Sequence, residues 1–95
     1  MLFNAGRLCD SLWTFERLMD MELRGSERDT IRDVSKSECE DRCLSETGFS
    51  CLSANYDHLS RVCTLSDGNR YSNQAGFAPS SGVDYLENQC QAGKL

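Results

Sequence analysis

Apolar and polar positions along the chain change period several times, and each change marks an element. In "WTFERLMDMEL", 13–23, Trp13, Phe15 and Arg17 alternate as in a strand, while Leu18, Met19 and Leu23 follow a helix-like spacing. The reading adopted is a strand to about Arg17, followed by a loop ending at Gly25. "TIRDV", 30–34, has Ile31 between polar residues and predicts a short extended segment. "SKSECEDRCLSETG", 35–48, predicts a helix. Ser35 with Glu38 fits a capping box, and Ser37 with Glu40 offers a second register. Acidic residues crowd its first turns, which suits the helix dipole. Gly48 stands where a left-handed residue closes a helix. Cys39, Cys43 and Leu44 share one face by the i, i+4 rule.

"CLSANYD", 51–57, and "RVCTLS", 61–66, read as two strands of a hairpin turning near His58 to Ser60. "DGNR", 67–70, is turn chemistry. Residues 72–82 are rich in Ser, Asn and Gly and read as a long loop. "VDYLE", 83–87, places Val83, Tyr85 and Glu87 on one side of a last strand leading to Cys90. The sum is an α+β domain, one helix over a small, mostly antiparallel sheet. Candidate core residues are Trp13, Phe15, Leu18, Ile31, Val34, Leu44, Phe49, Tyr56, Val62, Leu65, Phe77, Val83, Tyr85 and Leu86. Residues 1–8 and 91–95 read as flanks of a domain spanning 9–90.

Length sharpens this picture. A chain of 95 residues holds one domain with a modest core. Such domains lean on covalent staples, and this one has six cysteines, an even number. That points to an oxidising, extracellular setting. The N-terminal "MLFNAGRLCDSLW" lacks the apolar stretch of a signal peptide. The expectation is therefore a fragment of a longer secreted chain. Net charge is −5, from 15 acidic and 10 basic residues. No basic footprint for nucleic acid is present, nor an apolar run of about 18 residues that could span a bilayer. No N-x-S/T sequon occurs, so N-glycosylation is not expected.

Three uses of the cysteines compete. A zinc site needs close ligand pairs, but the chain has no CxxC and one histidine, His58, which reads as an exposed turn residue. A reactive thiolate needs a stabilising neighbour. Here Glu40 and Asp41 flank the sulfurs, with Arg42 and the helix N-terminus opposing them weakly. No catalytic set, metal or cofactor is expected. Disulfides remain. Cys39 and Cys43 project in parallel from a helix and suit a mutual bond poorly. Each then reaches to the hairpin, where Cys51 and Cys63 stand, in an order the spacing leaves open. Cys9 and Cys90 are left to clasp the two ends.

The run Ser37-Glu38-Cys39-Glu40-x-x-Cys43-Leu44-x-Glu46-x-x-Phe49-x-Cys51-x-Ser53-x-x-Tyr56-Asp57, followed by Cys63-x-Leu65-Ser66, resembles a PAN/apple domain from about Cys9 to Cys90. The closing "DYLENQC", 84–90, is similar to PAN modules of cuticle proteins that also carry a zona pellucida domain, of the no-mechanoreceptor-potential-A type. The resemblance implies a single helix on a curved antiparallel sheet with three disulfides: Cys39–Cys63, Cys43–Cys51 and Cys9–Cys90. It implies a non-catalytic, secreted module that binds an extracellular protein or glycan, with neighbouring PAN and zona pellucida domains, in apical matrix or cuticle attachment. Many relatives carry Arg where this chain has Leu52, which exchanges a charge for an apolar side chain that joins a core or a partner surface.

Candidates for a binding surface are His58, Arg61, Arg70 and Tyr71, read from their place in turn and loop; each also fits an ordinary polar surface. Two alternatives to a binding module stand beside it. One is a disulfide-rigid spacer without its own ligand, and the other a secreted inhibitor-like domain.

Overall fold

The computed structural model describes residues 14–90. Five strands and one α-helix follow in the order β1 (Phe15–Leu23), β2 (Glu27–Arg32), α1 (Lys36–Ser45), β3 (Ser53–Asp57), β4 (Val62–Ser66) and β5 (Phe77–Asn88), with a 3-10 turn at Gln74–Gly76. The strands form one sheet in the order β1-β5-β3-β4-β2, and every neighbouring pair is antiparallel.

The helix begins where the capping box predicts. Ser35 Oγ accepts from the Glu38 amide at 3.1 Å. Glu38 Oε1 accepts from the Ser35 amide at 2.7 Å. The Ser35 amide bond to its carboxylate, and after it the Ser35 hydroxyl, hold the Glu38 carboxyl below its usual range. The helix end differs from expectation. It stops at Ser45, Glu46 is extended (φ −66°, ψ 129°), and the Glu46 carboxylate accepts from the Gly48 amide at 2.8 Å. Gly48 has no left-handed φ. Leu44, placed on the cysteine face by spacing, is 42% exposed, because only Cys39 and Cys43 point squarely at the sheet.

The core lies between α1 and one face of the sheet. Val34, Cys39, Cys43, Cys51, Ala54, Tyr56, Cys63, Leu65 and Leu86 pack together, flanked by Phe15, Ile31 and Phe49. The Tyr56 hydroxyl donates to the Val34 carbonyl at 2.6 Å, which seats the approach to the helix. Two disulfides rivet the layers, Cys39–Cys63 and Cys43–Cys51, with Cα separations of 5.5 and 5.3 Å. The described cysteines include no free thiol. The pairing expected between Cys9 and Cys90 falls on Cys9, which lies outside the described residues, as does the candidate core residue Trp13.

Two segments depart from the sequence reading. First, β1 runs on to Leu23 where a loop was expected after Arg17. Its alternation is hidden by a bulge: the register passes from Met19↔Asp84 to Met21↔Pro79, leaving Asp20 opposite Ser80, Ser81, Gly82 and Val83. Asp20 (φ 60°) and Gly82 (φ 84°) both take left-handed conformations there, and Asp20 Oδ1 accepts from the Gly82 amide at 2.9 Å. Second, the expected loop 72–82 contains the first half of β5, which pairs only with β1. Its exposed Ser and Gly residues gave no strand signal.

The bulge turns the β1/β5 ribbon back over the sheet face opposite the helix. Asn55, central on that face, holds it: Oδ1 accepts from the Leu23 amide at 3.0 Å, and Nδ2 donates to the Leu23 carbonyl at 2.7 Å. Phe77 packs edge-on against Tyr85, centroids 4.9 Å apart. The Arg24 amide donates to the Gly76 carbonyl at 2.9 Å. Gly76 is required there, since a Cβ would meet the Arg24 carbonyl oxygen at 1.9 Å. As a result Val83 to Asn88 are all buried, not only the alternate positions expected.

Candidate functional site

Alternate residues of the strands face away from the helix, and on that face most are polar, with Val62, Val83 and Tyr85 among them. Between the folded ribbon and the β2/β4 side of the sheet lies a cleft of about 390 Å³. Glu22 and Arg24 form the ribbon wall, Glu27 and Thr30 come from β2, and Val62 and Thr64 from β4. Asn55, Asp57, Ser60 and Val83 complete it. This volume is in the usual range for small-ligand and side-chain pockets.

The carboxylates are locally anchored. Glu22 pairs with the Arg24 guanidinium. Glu27 Oε1 accepts from the Gly25 amide at 3.0 Å. Asp57 Oδ1 accepts from the Leu59 and Ser60 amides at 3.0 and 3.3 Å, which pins the β3–β4 turn. In each case the second carboxylate oxygen has no bond among the described residues. Ser66, one pleat beyond Thr64 on the same face of β4 and opposite Glu27, is 1% exposed, and its hydroxyl has no partner among the described residues.

The four residues proposed from sequence do not converge, and none lines the cleft. His58 is half-exposed but tethered. Its Nε2 is 2.8 Å from Asp84 Oδ2, and its ring packs edge-on against Tyr56. Asp84 is buried and also takes Arg17 Nε at 2.5 Å. Burial alone would raise the Asp84 carboxyl, but the bonds and charges of His58 and Arg17 outweigh it and hold it below its usual value. Arg61 is left-handed (φ 59°), and its carbonyl accepts from the Asp33 and Val34 amides.

Arg70 and Tyr71 belong to a second cluster around Glu87, toward the other end of β5. Arg70 Nη2 donates to Glu16 Oε1 at 2.8 Å and to the Tyr71 hydroxyl at 2.9 Å, and Arg70 Nε lies 3.1 Å from Glu87. Buried Tyr85 donates to Glu87 at 2.9 Å and accepts from the Arg70 amide at 2.9 Å. Burial pushes the Tyr85 phenol well above its ordinary value. Arg70 is thus mostly an internal counter-ion, while the Tyr71 ring is exposed.

A smaller cavity of about 260 Å³ lies by the Cys43–Cys51 bridge, lined by Leu44, Glu46, Ser50, Leu52, Asn88 and Cys90 as well. Half-buried Leu52 therefore borders this hollow. Sequence reasoning missed Glu22, Glu27, Thr30, Asn55, Asp57 and Thr64. The available signal was polar alternation, Ser53-x-Asn55-x-Asp57 beside Val62-x-Thr64-x-Ser66, which marks a second face without an apolar cover. Among the described residues no cluster of metal-ligating side chains occurs, and no helix is long and apolar enough to cross a membrane.

Residues 9–90 match the PAN domain, and the chain belongs to that family. Comparison with curated proteins finds no match. PAN domains are protein- and carbohydrate-binding modules. Those with disulfides are typically extracellular.

Proposed function

We propose that this chain is a non-catalytic extracellular binding module whose ligand occupies the cleft on the face opposite the helix. The observation that carries the reading is the cleft itself. Four strands contribute polar side chains to one hollow, while the bulge, the Asn55 clamp and the two rivets fix its walls. Preformed walls lower the ordering cost of binding. Carboxylates and hydroxyls without a nucleophile–base pair suit recognition rather than turnover. Attachment within an apical matrix or cuticle, beside further PAN or zona pellucida domains, is the finer form of the proposal. It rests on the resemblance of "DYLENQC".

The test is a pull-down from matrix extract together with a glycan array, run on wild type and Thr64→Tyr. Tyrosine suits a strand and fills the cleft. Capture by wild type and its loss in Thr64→Tyr, at near-native melting temperature, is the expected result. A rigid spacer without a ligand captures nothing in either form.

A further inference from the structure

The cleft reading leaves open what enters, and the inference here rests on that reading. We propose that the cleft receives the basic side chains, arginine or lysine, of an extended segment of a partner protein. Three carboxylates line it, Glu22, Glu27 and Asp57, against a single cation, Arg24, already paired with Glu22. One oxygen of each carboxylate is locally bound, and the other has no partner among the described residues. Such half-anchored carboxylates are oriented acceptors for guanidinium or ammonium donors. Thr30, Ser60 and Thr64 add hydroxyl acceptors, and Val62 and Val83 offer apolar surface to the methylene stem.

No aromatic side chain lines the cleft, so a sugar ring finds no stacking platform. Phosphate or sulfate groups meet like charge. β2 is an edge strand, so the cleft is open along its Glu27–Thr30 side to an extended chain. The net charge of −5 adds long-range attraction to cations.

The experiment is an amide-resolved NMR titration of the oxidised chain with hexa-arginine, hexaglutamate, a sulfated oligosaccharide and a neutral chito-oligosaccharide. Hexa-arginine is expected to shift the Thr30, Asn55 and Thr64 amides, and to weaken with salt. Glu22→Gln/Glu27→Gln should weaken it about tenfold, whereas Asp33→Asn/Asp41→Asn, an equal charge change away from the cleft, should change it by less than about twofold. Equal losses in the two variants would reduce the effect to net charge and overturn the proposal. Cleft shifts with an oligosaccharide but not with hexa-arginine would overturn the basic partner and leave the cleft standing as the site. Silence of the cleft amides toward every probe would remove both.

Discussion

On the helix side of the sheet, Cys39 and Cys43 cross into β4 and the segment before β3 through covalent bonds, and the surrounding groups are apolar. On the other side the β1/β5 ribbon lies over Tyr85 and Asn55, held by hydrogen bonds and one aromatic contact. The first face encloses a core, and the second encloses a cleft. The difference follows from residue type at alternate positions. Ala54 and Tyr56 face the helix, while Ser53, Asn55 and Asp57 face the ribbon. A covalently fixed back layer frees the front layer from supplying most of the stability. It can therefore carry polar groups with incomplete bonding.

The comparison breaks first at the rivets. Cys39→Ala/Cys63→Ala opens a link spanning 24 residues, for which the chain-entropy model gives a loss of about 3.5 kcal/mol. Cys43→Ala/Cys51→Ala opens a link spanning 8 residues and should cost about 2.5 kcal/mol. Urea denaturation of both double variants checks the order. An equal or reversed ranking would mean that the helix is docked by packing rather than by its first-turn bridge.

The clamp on the other face comes next. Asn55→Ala leaves the Leu23 amide and carbonyl without those partners beneath the ribbon, a loss of about 2 kcal/mol. Asn55→Asp should cost at least as much, because a carboxylate accepts from the amide but cannot donate to the carbonyl. Hydrogen exchange should show faster opening at Leu23 while the helix face stays protected. Uniform loss of protection would mean that the two faces unfold as one unit and differ less than their bonding implies.

The same contrast explains what could be read from sequence. The capping box at Ser35 and Glu38 and the 51–66 hairpin rest on neighbours in the chain, and both stand as expected. The rivets were legible as a set because helical spacing forbids Cys39–Cys43; their order came from family resemblance. The ribbon was not legible. Asp20 shifts the strand period in mid-run, and the pairing that makes 77–82 a strand comes from residues far away in the chain. The cleft was not legible either. Glu22, Thr30, Asn55 and Thr64 come from four different strands, and each alone is an ordinary polar surface residue. By contrast, turn placement singled out His58 and Arg70, whose side chains pair with buried Asp84 and Glu87.

The smallest expected effect concerns Asp84, opposite Tyr56 where β3 and β5 pair. Its folded carboxyl titrates below the ordinary value of 3.8 because His58 and Arg17 outweigh the effect of burial. A depressed folded value means that the folded state binds this proton less readily than the unfolded chain. The contribution is therefore complete above the ordinary value and is lost as pH falls through the folded one. The side chains of both partners are nearly half-exposed, 45% and 46%, so solvent screening holds the contribution to about 1 kcal/mol. Asp84→Asn should accordingly lower stability modestly at neutral pH. The gap from wild type should close below the ordinary aspartate range, where wild type itself carries a neutral carboxyl. Melting curves of the two proteins across that range measure the gap directly. A gap that persists unchanged in acid would mean that Asp84 acts through the shape of its hydrogen bonds and not through its charge, which would bring this margin of the helix side closer in kind to the Asn55 clamp.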